Sequence, residues 1–424
     1  MKLKYVIKKS NLFHMVWLIC ILFPFIQQRT YGELPGIIGT FYKYTALLSS
    51  LLVYAFSFFK YKYLRGKKYL IIFALYFLVN TVITFIKCPD GLAGVLNHSI
   101  VFMAIILFVS LESTRDITSL LKALSIIYGG FIYLNFITDI IFPQGLYNTG
   151  SYHTGHLLGD DNALIYVMLP GVICILCYCI HKYNKIKWYA YGAALICTIT
   201  LLKAWAVSAM LCMVLFMAVI LIALITKKYI KVPILLGGVL GASFICFFGL
   251  ANNTVQHFIV NILKKDITLS GRTILWSKAI KLISENSFLG HGGYWRLGEF
   301  RIGTAIRTYP CHTPYLQILI DGGILLFSLF LIFILLSYFY AAKRPKCPSC
   351  YVLITGLTFM LINYISEYSQ FYHLFIIVIL ILNSDKLNNG DILTNSPRLN
   401  KLIKQFKIPV SKKTKKQEGK NEYK

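Results

Sequence analysis

One hydrophilic segment of this chain, residues 251–312, carries side chains that could bind a charged partner. It contains eight lysines and arginines, namely Lys264, Lys265, Arg272, Lys278, Lys281, Arg296, Arg301 and Arg307. Only three acids oppose them, namely Asp266, Glu285 and Glu299. An arginine stays charged and presents a planar fork of donors, so such a set suits the binding of an anion. The segment therefore predicts an anionic partner.

The stretch SGRTILWSKAIKLISENSFLGHGGYW, residues 270–295, predicts an amphipathic helix within that segment. Ser270 can cap this helix. One face repeats at three- and four-residue steps, through Arg272, Trp276, Ala279, Ile280 and Ile283. Lys278 and Lys281 fall on other faces, so we expect the helix to lie on a membrane surface with a basic edge. Glycines at 290, 292 and 293 end it and allow a tight turn.

The composition of the whole chain indicates the medium in which this segment lies. Of the 424 residues, 57% are hydrophobic and 14% are charged, and the mean hydropathy is +0.66. A soluble fold of this length could not hide so much apolar surface from water. A formal charge of +27 would suggest nucleic acid if the basic residues formed a stripe on a soluble domain, but they lie in short runs between apolar stretches. The chain is therefore predicted to be an integral membrane protein that binds no nucleic acid.

About twelve apolar segments are long enough to cross a hydrocarbon core of roughly 30 Å. They are residues 11–27, 36–58, 69–86, 92–110, 117–142, 162–181, 186–202, 205–226, 232–250, 314–340, 350–367 and 370–384. The predicted fold is an all-α polytopic bundle over residues 1–384, with one large loop at residues 251–312. Residues 385–424 are expected to form a basic, disordered tail that is attracted to anionic lipid headgroups.

The lysines and arginines between these segments predict the orientation of the bundle. Five basic runs fall on one side when the spans are counted, at residues 2–9, 60–68, 182–187, 227–231 and 343–346. Both chain termini are therefore predicted to be cytoplasmic, and the loop at residues 251–312 is predicted to be extracytoplasmic.

The order of motifs resembles the pattern shared by O-antigen polymerases (Wzy), O-antigen ligases (WaaL) and related exopolysaccharide polymerases. In that superfamily a Gly-Arg opens an external helix that carries a Trp, and a Gly-x-Gly closes it. A His then begins the next transmembrane helix, ahead of a Tyr-Leu and an acidic-Gly pair. The matching positions here are Gly271, Arg272, Trp276, Gly290, Gly292, His312, Tyr315, Leu316, Asp321 and Gly322. Upstream, TGHLLGDDNALIYVMLP resembles the superfamily's Gly-rich run into an Asn at the start of a helix, here Asn162.

The chain departs from this pattern at two places. Thr313 follows His312, where Asn or Ser is common. Many members carry a Ser-Arg at the start of the eighth span, whereas this chain has LLKAWAVSA there, with Lys203 as the nearest cation. The departure weakens the assignment of a second phosphate-binding arginine to that helix.

The resemblance implies a GT-C-like membrane glycosyltransferase of the bacterial cytoplasmic (inner) membrane, with no cofactor and no metal. Its donor would be a glycan on undecaprenyl diphosphate, and its candidate protein partners are a flippase and a chain-length regulator. A polymerase of repeat units is the first function that the resemblance favours, and a ligase that moves glycan to a lipid or wall acceptor is the second. A flippase or secondary transporter is third, because that class predicts internal repeats and midplane charges.

Under this resemblance, Arg272 and His312 are the predicted catalytic residues. Arg272 would bind the diphosphate, and His312 would accept the proton of a sugar hydroxyl or, alternatively, hydrogen-bond the diphosphate. The predicted substrate-binding residues are Arg296, Arg301, Arg307, Lys203, Trp276, Asp160, Asp161 and Asn162.

Simpler alternatives stand beside these roles. The arginines could anchor lipid headgroups, and His312 could be a polar residue at a helix start. Asp160 and Asp161 could be secondary bases, or they could cap the sixth span. The aromatic residues could belong to the interfacial belt rather than stack on sugars. Glu367, near the external end of the eleventh span, is the acid within or near a span that most invites a functional role.

Overall fold

Twelve α-helices make up most of the described part of the chain in the computed structural model. That part comprises residues 2–26, 36–148, 154–248, 272–293, 299–302, 305–308, 311–367 and 371–387. The helices are α1 (Lys2–Leu22), α2 (Gly36–Phe59), α3 (Tyr69–Lys87), α4 (Leu92–Ile141), α5 (Ile165–Tyr183), α6 (Trp188–Lys203), α7 (Val207–Thr226), α8 (Val232–Phe248), α9 (Arg272–Glu285), α10 (Pro314–Ala342), α11 (Pro348–Asn363) and α12 (Tyr372–Leu382).

The helices confirm the predicted all-α, polytopic membrane fold. Each predicted span coincides with one helix or with one arm of α4. Within the described residues, five helices are long and apolar enough to cross a membrane, namely α3, α4 with the turn before it, α5, α7 and α10. Shorter apolar helices accompany them within α1, α8, α11 and α12. The shorter helices do not by themselves establish spans, so the total of about twelve spans stays a prediction.

Helix α4 consists of two arms that meet at Asp116. The backbone of Asp116 leaves the helical region, with φ −156° and ψ 81°. Its carboxylate accepts a hydrogen bond from the amide of Ser119 at 3.1 Å. An acid in this position caps the second arm, because its oxygen satisfies an amide that has no partner within the helix. Two predicted spans are therefore joined by a single capping residue.

The centre of the bundle is formed by helices that are apolar on every side. All eleven residues of α12 are buried, and α5 and α11 are buried along nearly their whole lengths. A helix that is hydrophobic all round is expected in the core of a bundle. Helices such as α3 and α7 are instead buried on one face and expose large apolar side chains on the other, which suits contact with lipid.

Two small antiparallel sheets lie in the connecting segments. The first contains β1 (Tyr147–Asn148), β2 (Thr154–His156) and β3 (Gly159–Asp160) in that order, between α4 and α5. The second is a hairpin of β4 (Glu299–Ile302) and β5 (Ala305–Thr308), between α9 and α10. The second sheet therefore lies in the hydrophilic segment at residues 251–312, and the first lies in the separate connection before α5.

Candidate functional site

Helix α9 is held against the start of α10 by a small apolar cluster of its own. Leu275, Trp276 and Ala279 pack with Cys311, Leu316 and Ile320. Of the face that the sequence predicts, Trp276, Ala279 and Ile283 belong to this cluster, whereas Ile280 is 56% exposed. Leu275 and Leu282 pack in the cluster as well.

Arg272 is the first residue of α9, and its guanidinium forms an ion pair with the carboxylate of Glu367. The two side chains are 16% and 5% exposed. Glu367 lies beyond the end of α11, so the pair joins two elements that are 95 residues apart in the chain. The ion pair brings the predicted catalytic arginine together with the acid that the sequence singles out. The predicted cap, Ser270, lies outside the described residues.

His312 lies two residues before α10, next to the N-cap Thr313, and has a left-handed backbone, with φ 54°. This conformation costs a non-glycine residue about 1–3 kcal/mol, so the surroundings must impose it. Cys311 and Thr313 on either side are fully buried, whereas His312 is partly exposed. The flanking residues thus hold His312 at the rim of the packed bundle.

Hydrogen bonds to α11 fix the segment that carries His312. The hydroxyl of Thr313 donates to the carbonyl of Tyr364 at 3.0 Å. The hydroxyl of Tyr315 donates to the carbonyl of Leu361 at 2.7 Å. Glu367 follows the same end of α11. These bonds therefore also fix the position of Glu367, the partner of Arg272, relative to His312. The start of α10, the end of α11 and the start of α9 therefore form one connected unit.

The loop after α9 closes onto a break in α10. Gly323 has φ 62°, and a Cβ there would collide with the carbonyl of Phe288. The amides of His291 and Gly292 donate to the carbonyls of Ile320 and Asp321, at 2.7 and 2.9 Å. In return, the amide of Ile324 donates to the carbonyl of Ser287 at 2.8 Å. The loop thus supplies the backbone partners that the broken helix lacks.

The glycines of this loop are required by close approach as well as by conformation. Gly290 and Gly292 have φ values of 66° and 96°. A Cβ on Gly290 would lie 2.5 Å from the carbonyl oxygen of Ile320, and one on Gly292 would lie 2.9 Å from the Cβ of Cys88. The Gly-x-Gly motif therefore lets the loop pack between α10 and the end of α3.

A second group of charges lies between α4 and the first sheet. The Nδ1 atom of His156 is 2.7 Å from Asp139 Oδ1, and its Nε2 atom is 3.1 Å from Asp161 Oδ1. Asn135 donates to the other oxygen of Asp139 at 2.9 Å, and the amide of Thr154 donates to the other oxygen of Asp161 at 3.2 Å. This His156 cluster ties the sheet to the end of α4.

Two opposing influences set the pKa of His156. Burial lowers the pKa, but hydrogen bonds to Asp139 and Asp161 and the charges of those carboxylates outweigh burial and raise it to about 9. His156 is therefore a charged imidazolium at neutral pH. It is a donor through both nitrogens, which suits holding carboxylates rather than accepting a proton.

The other predicted site residues lie in different parts of the structure. The carboxylate of Asp160 accepts the amide of Ala163 at 3.0 Å, in the turn before α5, and the N-cap of α5 is Leu164. Lys203 is exposed and donates to the backbone carbonyl of Asp139 at 3.1 Å. Trp276 is 4% exposed, so its ring packs in the apolar cluster. Asn162 is partly buried just before α5.

The remaining predicted arginines are only partly described. Arg301 lies in β4 opposite Ile306, and Arg307 lies in β5 opposite Phe300. Arg296 lies outside the described residues. Their predicted roles in binding substrate stay predictions.

Two participants in these charge groups were missed by sequence reasoning, namely His156 and Asp139. The run HTGHLLGDD carries a histidine five residues before Asp161, which is a usable local signal for a short loop that folds back on itself. Asp139 had no such signal, because it lies at the end of an apolar span and 17 residues from His156.

The region that contains Arg272 and His312 matches a known protein family. Residues 163–331 match the model of the O-antigen ligase family. A search of curated proteins finds no match to the chain. The matched region runs from just before α5 to the second arm of α10, whereas Glu367 and the His156 cluster lie outside it. The match confirms the resemblance to the superfamily of O-antigen polymerases and ligases, whose members carry out glycan transfer in membranes.

Proposed function

We propose that this protein is a polymerase of lipid-linked oligosaccharide repeat units. In this proposal it transfers a glycan from undecaprenyl diphosphate to an acceptor sugar hydroxyl, at the outer face of the cytoplasmic membrane. The observation that carries the proposal is the position of Arg272 and His312. Both lie within the region that matches the O-antigen ligase family, and both belong to the unit formed by α9, α10 and α11.

Arg272 would bind the diphosphate of the donor. A guanidinium has five N–H donors in a planar fork, and the ion pair with Glu367 leaves others available for phosphate oxygens. Glu367 would be a positioning residue, because it fixes the direction of the arginine before the donor binds. Cationic donors aimed at the leaving diphosphate stabilise the charge that develops as the glycosidic bond breaks.

His312 would accept the proton of the acceptor hydroxyl. The hydroxyl oxygen attacks the anomeric carbon of the donor, the bond between that carbon and the diphosphate breaks, and the diphosphate leaves with the bonding electrons. The proton of the hydroxyl passes to the imidazole of His312, because a neutral imidazole nitrogen can accept a proton. Arg301 and Arg307 on the hairpin before His312 would contact further phosphate or sugar oxygens.

This mechanism requires α9 to face the outside of the cell. Reporters active only outside the cytoplasm, fused at Asn286 and at Lys412, test that requirement. We expect signal at Asn286, which follows α9, and none at Lys412 in the basic tail. Signal at Lys412 alone would overturn both the orientation and the mechanism.

The length of surface glycan distinguishes the polymerase from its alternatives. Cells that lack the protein should make surface glycan of a single repeat unit, and the wild-type chain should restore long glycan. Full-length glycan that accumulates on its lipid carrier would instead identify a ligase, which is the second candidate because the matched family is that of O-antigen ligases. Loss of all external glycan intermediates would identify a flippase.

A further inference from the structure

A polar cavity of about 400 Å³ lies at the end of the bundle opposite α9. It is formed where the two arms of α4 meet, beside the ends of α5 and α12. The first arm of α4 starts next to the glycine loop after α9, because Gly292 lies against Cys88. A helical arm of residues 92–115 spans about 35 Å, so the cavity is a membrane thickness away from Arg272 and His312.

Cations outnumber acids in the lining of this cavity. Arg115, Lys182 and Lys386 contribute positive charge, and Asp116 contributes the one carboxylate in the lining. The carboxylate of Asp116 is engaged in capping the second arm of α4.

Two of these cations also have acidic neighbours. Arg115 donates one hydrogen bond to the buried Glu112 at 3.1 Å and keeps its other N–H donors. Lys386 lies 3.4 Å from Asp385, but both side chains are 45% exposed, so water weakens that pair. The lining therefore retains donors and positive charge for a further anion.

Ser113 gives a second and independent indication of a ligand. It lines the cavity and is 1% exposed, and its hydroxyl has no hydrogen-bond partner among the described residues. Neighbouring hydroxyls are paired, because Thr114 donates to the carbonyl of Ser110 and Thr118 contacts Nε2 of His181. A buried hydroxyl without a partner is unfavourable, so the missing partner of Ser113 indicates a group that enters the cavity.

We propose that this cavity binds a phosphate group. Arg115, Lys182 and Lys386 would offset its charge from three separate elements, and the hydroxyl of Ser113 would donate to one of its oxygens. A phosphate has several acceptor oxygens that can meet donors from several directions, and its charge of about −1.5 to −2 can offset more than one cation. The phosphate could belong to a lipid headgroup or be free in solution, and the site does not depend on glycan transfer.

The test measures binding to the purified full chain with two probes. Inorganic phosphate is titrated by calorimetry, and phosphatidylglycerol, with phosphatidylcholine as the comparison lipid, is counted by native mass spectrometry. The variants are Ser113→Ala and Lys182→Gln. The matched control is Lys185→Gln, which is exposed like Lys182 but does not line the cavity.

We expect Ser113→Ala and Lys182→Gln each to weaken binding about tenfold, because each removes a hydrogen bond to a charged group. Lys185→Gln should leave binding unchanged. Binding of inorganic phosphate with this pattern identifies a free phosphate, whereas binding of phosphatidylglycerol alone identifies a lipid headgroup. The proposal fails if neither probe binds, or if all the variants bind like the wild type.

The unfolding temperature without any probe separates a binding role of Ser113 from a structural one. Ser113→Ala should leave that temperature unchanged or raise it slightly, because the variant removes an unpaired buried hydroxyl. A lower unfolding temperature would show that the hydroxyl has a structural partner, and the proposal would then be overturned.

Discussion

The ion pair of Arg272 with Glu367 and the His156 cluster both join distant parts of the chain, but they differ in how fully the cationic side chain is engaged. In the His156 cluster, both ring nitrogens contact carboxylates, and each carboxylate receives a further hydrogen bond. In the ion pair, the guanidinium of Arg272 is partly exposed and gives one hydrogen bond, to Glu367, among the described residues. A saturated cluster suits holding a loop, whereas an arginine with donors to spare suits binding a second anion. Charge and burial alone would not have distinguished the His156 cluster from the Arg272–Glu367 ion pair.

The largest expected effect is a loss of transfer rate on substitution of His312, which we do not expect on substitution of His156. His312→Ala removes the proposed proton acceptor and should slow glycan transfer about 10²–10⁴-fold. The unfolding temperature should change little, because His312 is partly exposed at the rim of the bundle. The measurement is glycan chain length in cells and transfer rate in purified enzyme, at matched protein levels. A wild-type transfer rate in this variant would show that His312 takes no part in the mechanism.

Arg272→Lys should have the next largest effect. Lysine keeps the charge but loses the planar fork, so a phosphate clamp should lose about 10²-fold in rate, whereas a lipid-headgroup anchor would lose little. Lys281→Gln is the matched control, because Lys281 is exposed on the same helix. The same assay applies. Equal chain lengths from both variants would show that the ion pair with Glu367 has a structural role only.

His156→Gln should destabilise the protein without a specific loss of transfer rate per folded molecule. The variant keeps some hydrogen bonding but loses the positive charge between Asp139 and Asp161, which should cost about 2–3 kcal/mol in the free energy of unfolding. Asp160→Asn is the control, because asparagine can also accept the amide of Ala163 and the change removes a charge from the same loop. Thermal unfolding in detergent measures both. A slower rate at full stability would move the His156 cluster into the reaction.

The smallest expected effect is a pH dependence of stability that belongs to the His156 cluster alone. The pKa of His156 is raised to about 9 in the folded chain, from 6.5 in the unfolded chain. The stabilisation is therefore complete below about pH 6.5, falls as pH rises and is lost above about pH 9. The unfolding temperature of the wild type should fall over this range more steeply than that of His156→Gln. Parallel curves would show that His156 is not charged in the folded state.

The fold was largely predictable because the signals that specify it are local. A run of apolar residues identifies a span wherever it packs, so the twelve predicted segments match helices or arms of helices. Proline at residues 314 and 348 marks the starts of α10 and α11 by fixing φ at the first turn. Local patterns do not reveal which faces meet, so the sequence did not predict that α9 packs through Leu275 and Leu282 against the start of α10.

The site was predictable only in part, because its contacts are long-range. Motif order indicated Arg272 and His312, but the partner of Arg272 lies 95 residues away and could only be noted as an acid in an unusual place. The sequence alone predicted that Trp276 binds substrate. The structure shows that it is buried in an apolar cluster with Cys311 and Ile320. Similarly, Asp160 and Asp161 are neighbours in sequence, yet one accepts an amide in the turn before α5 and the other contacts His156.

The break in α10 has a consequence for how the protein is assembled in the membrane. Backbone groups at Ile320, Asp321 and Ile324 depend on partners in residues 287–292, which are made about thirty residues earlier. A helix that enters lipid with open backbone groups is penalised by several kcal/mol for each group. The second arm of α10 should therefore become stable in the bilayer only after the loop that follows α9 has folded back onto it. A truncation of that loop would leave α10 unstable in the membrane, together with α11 and α12, which pack after it.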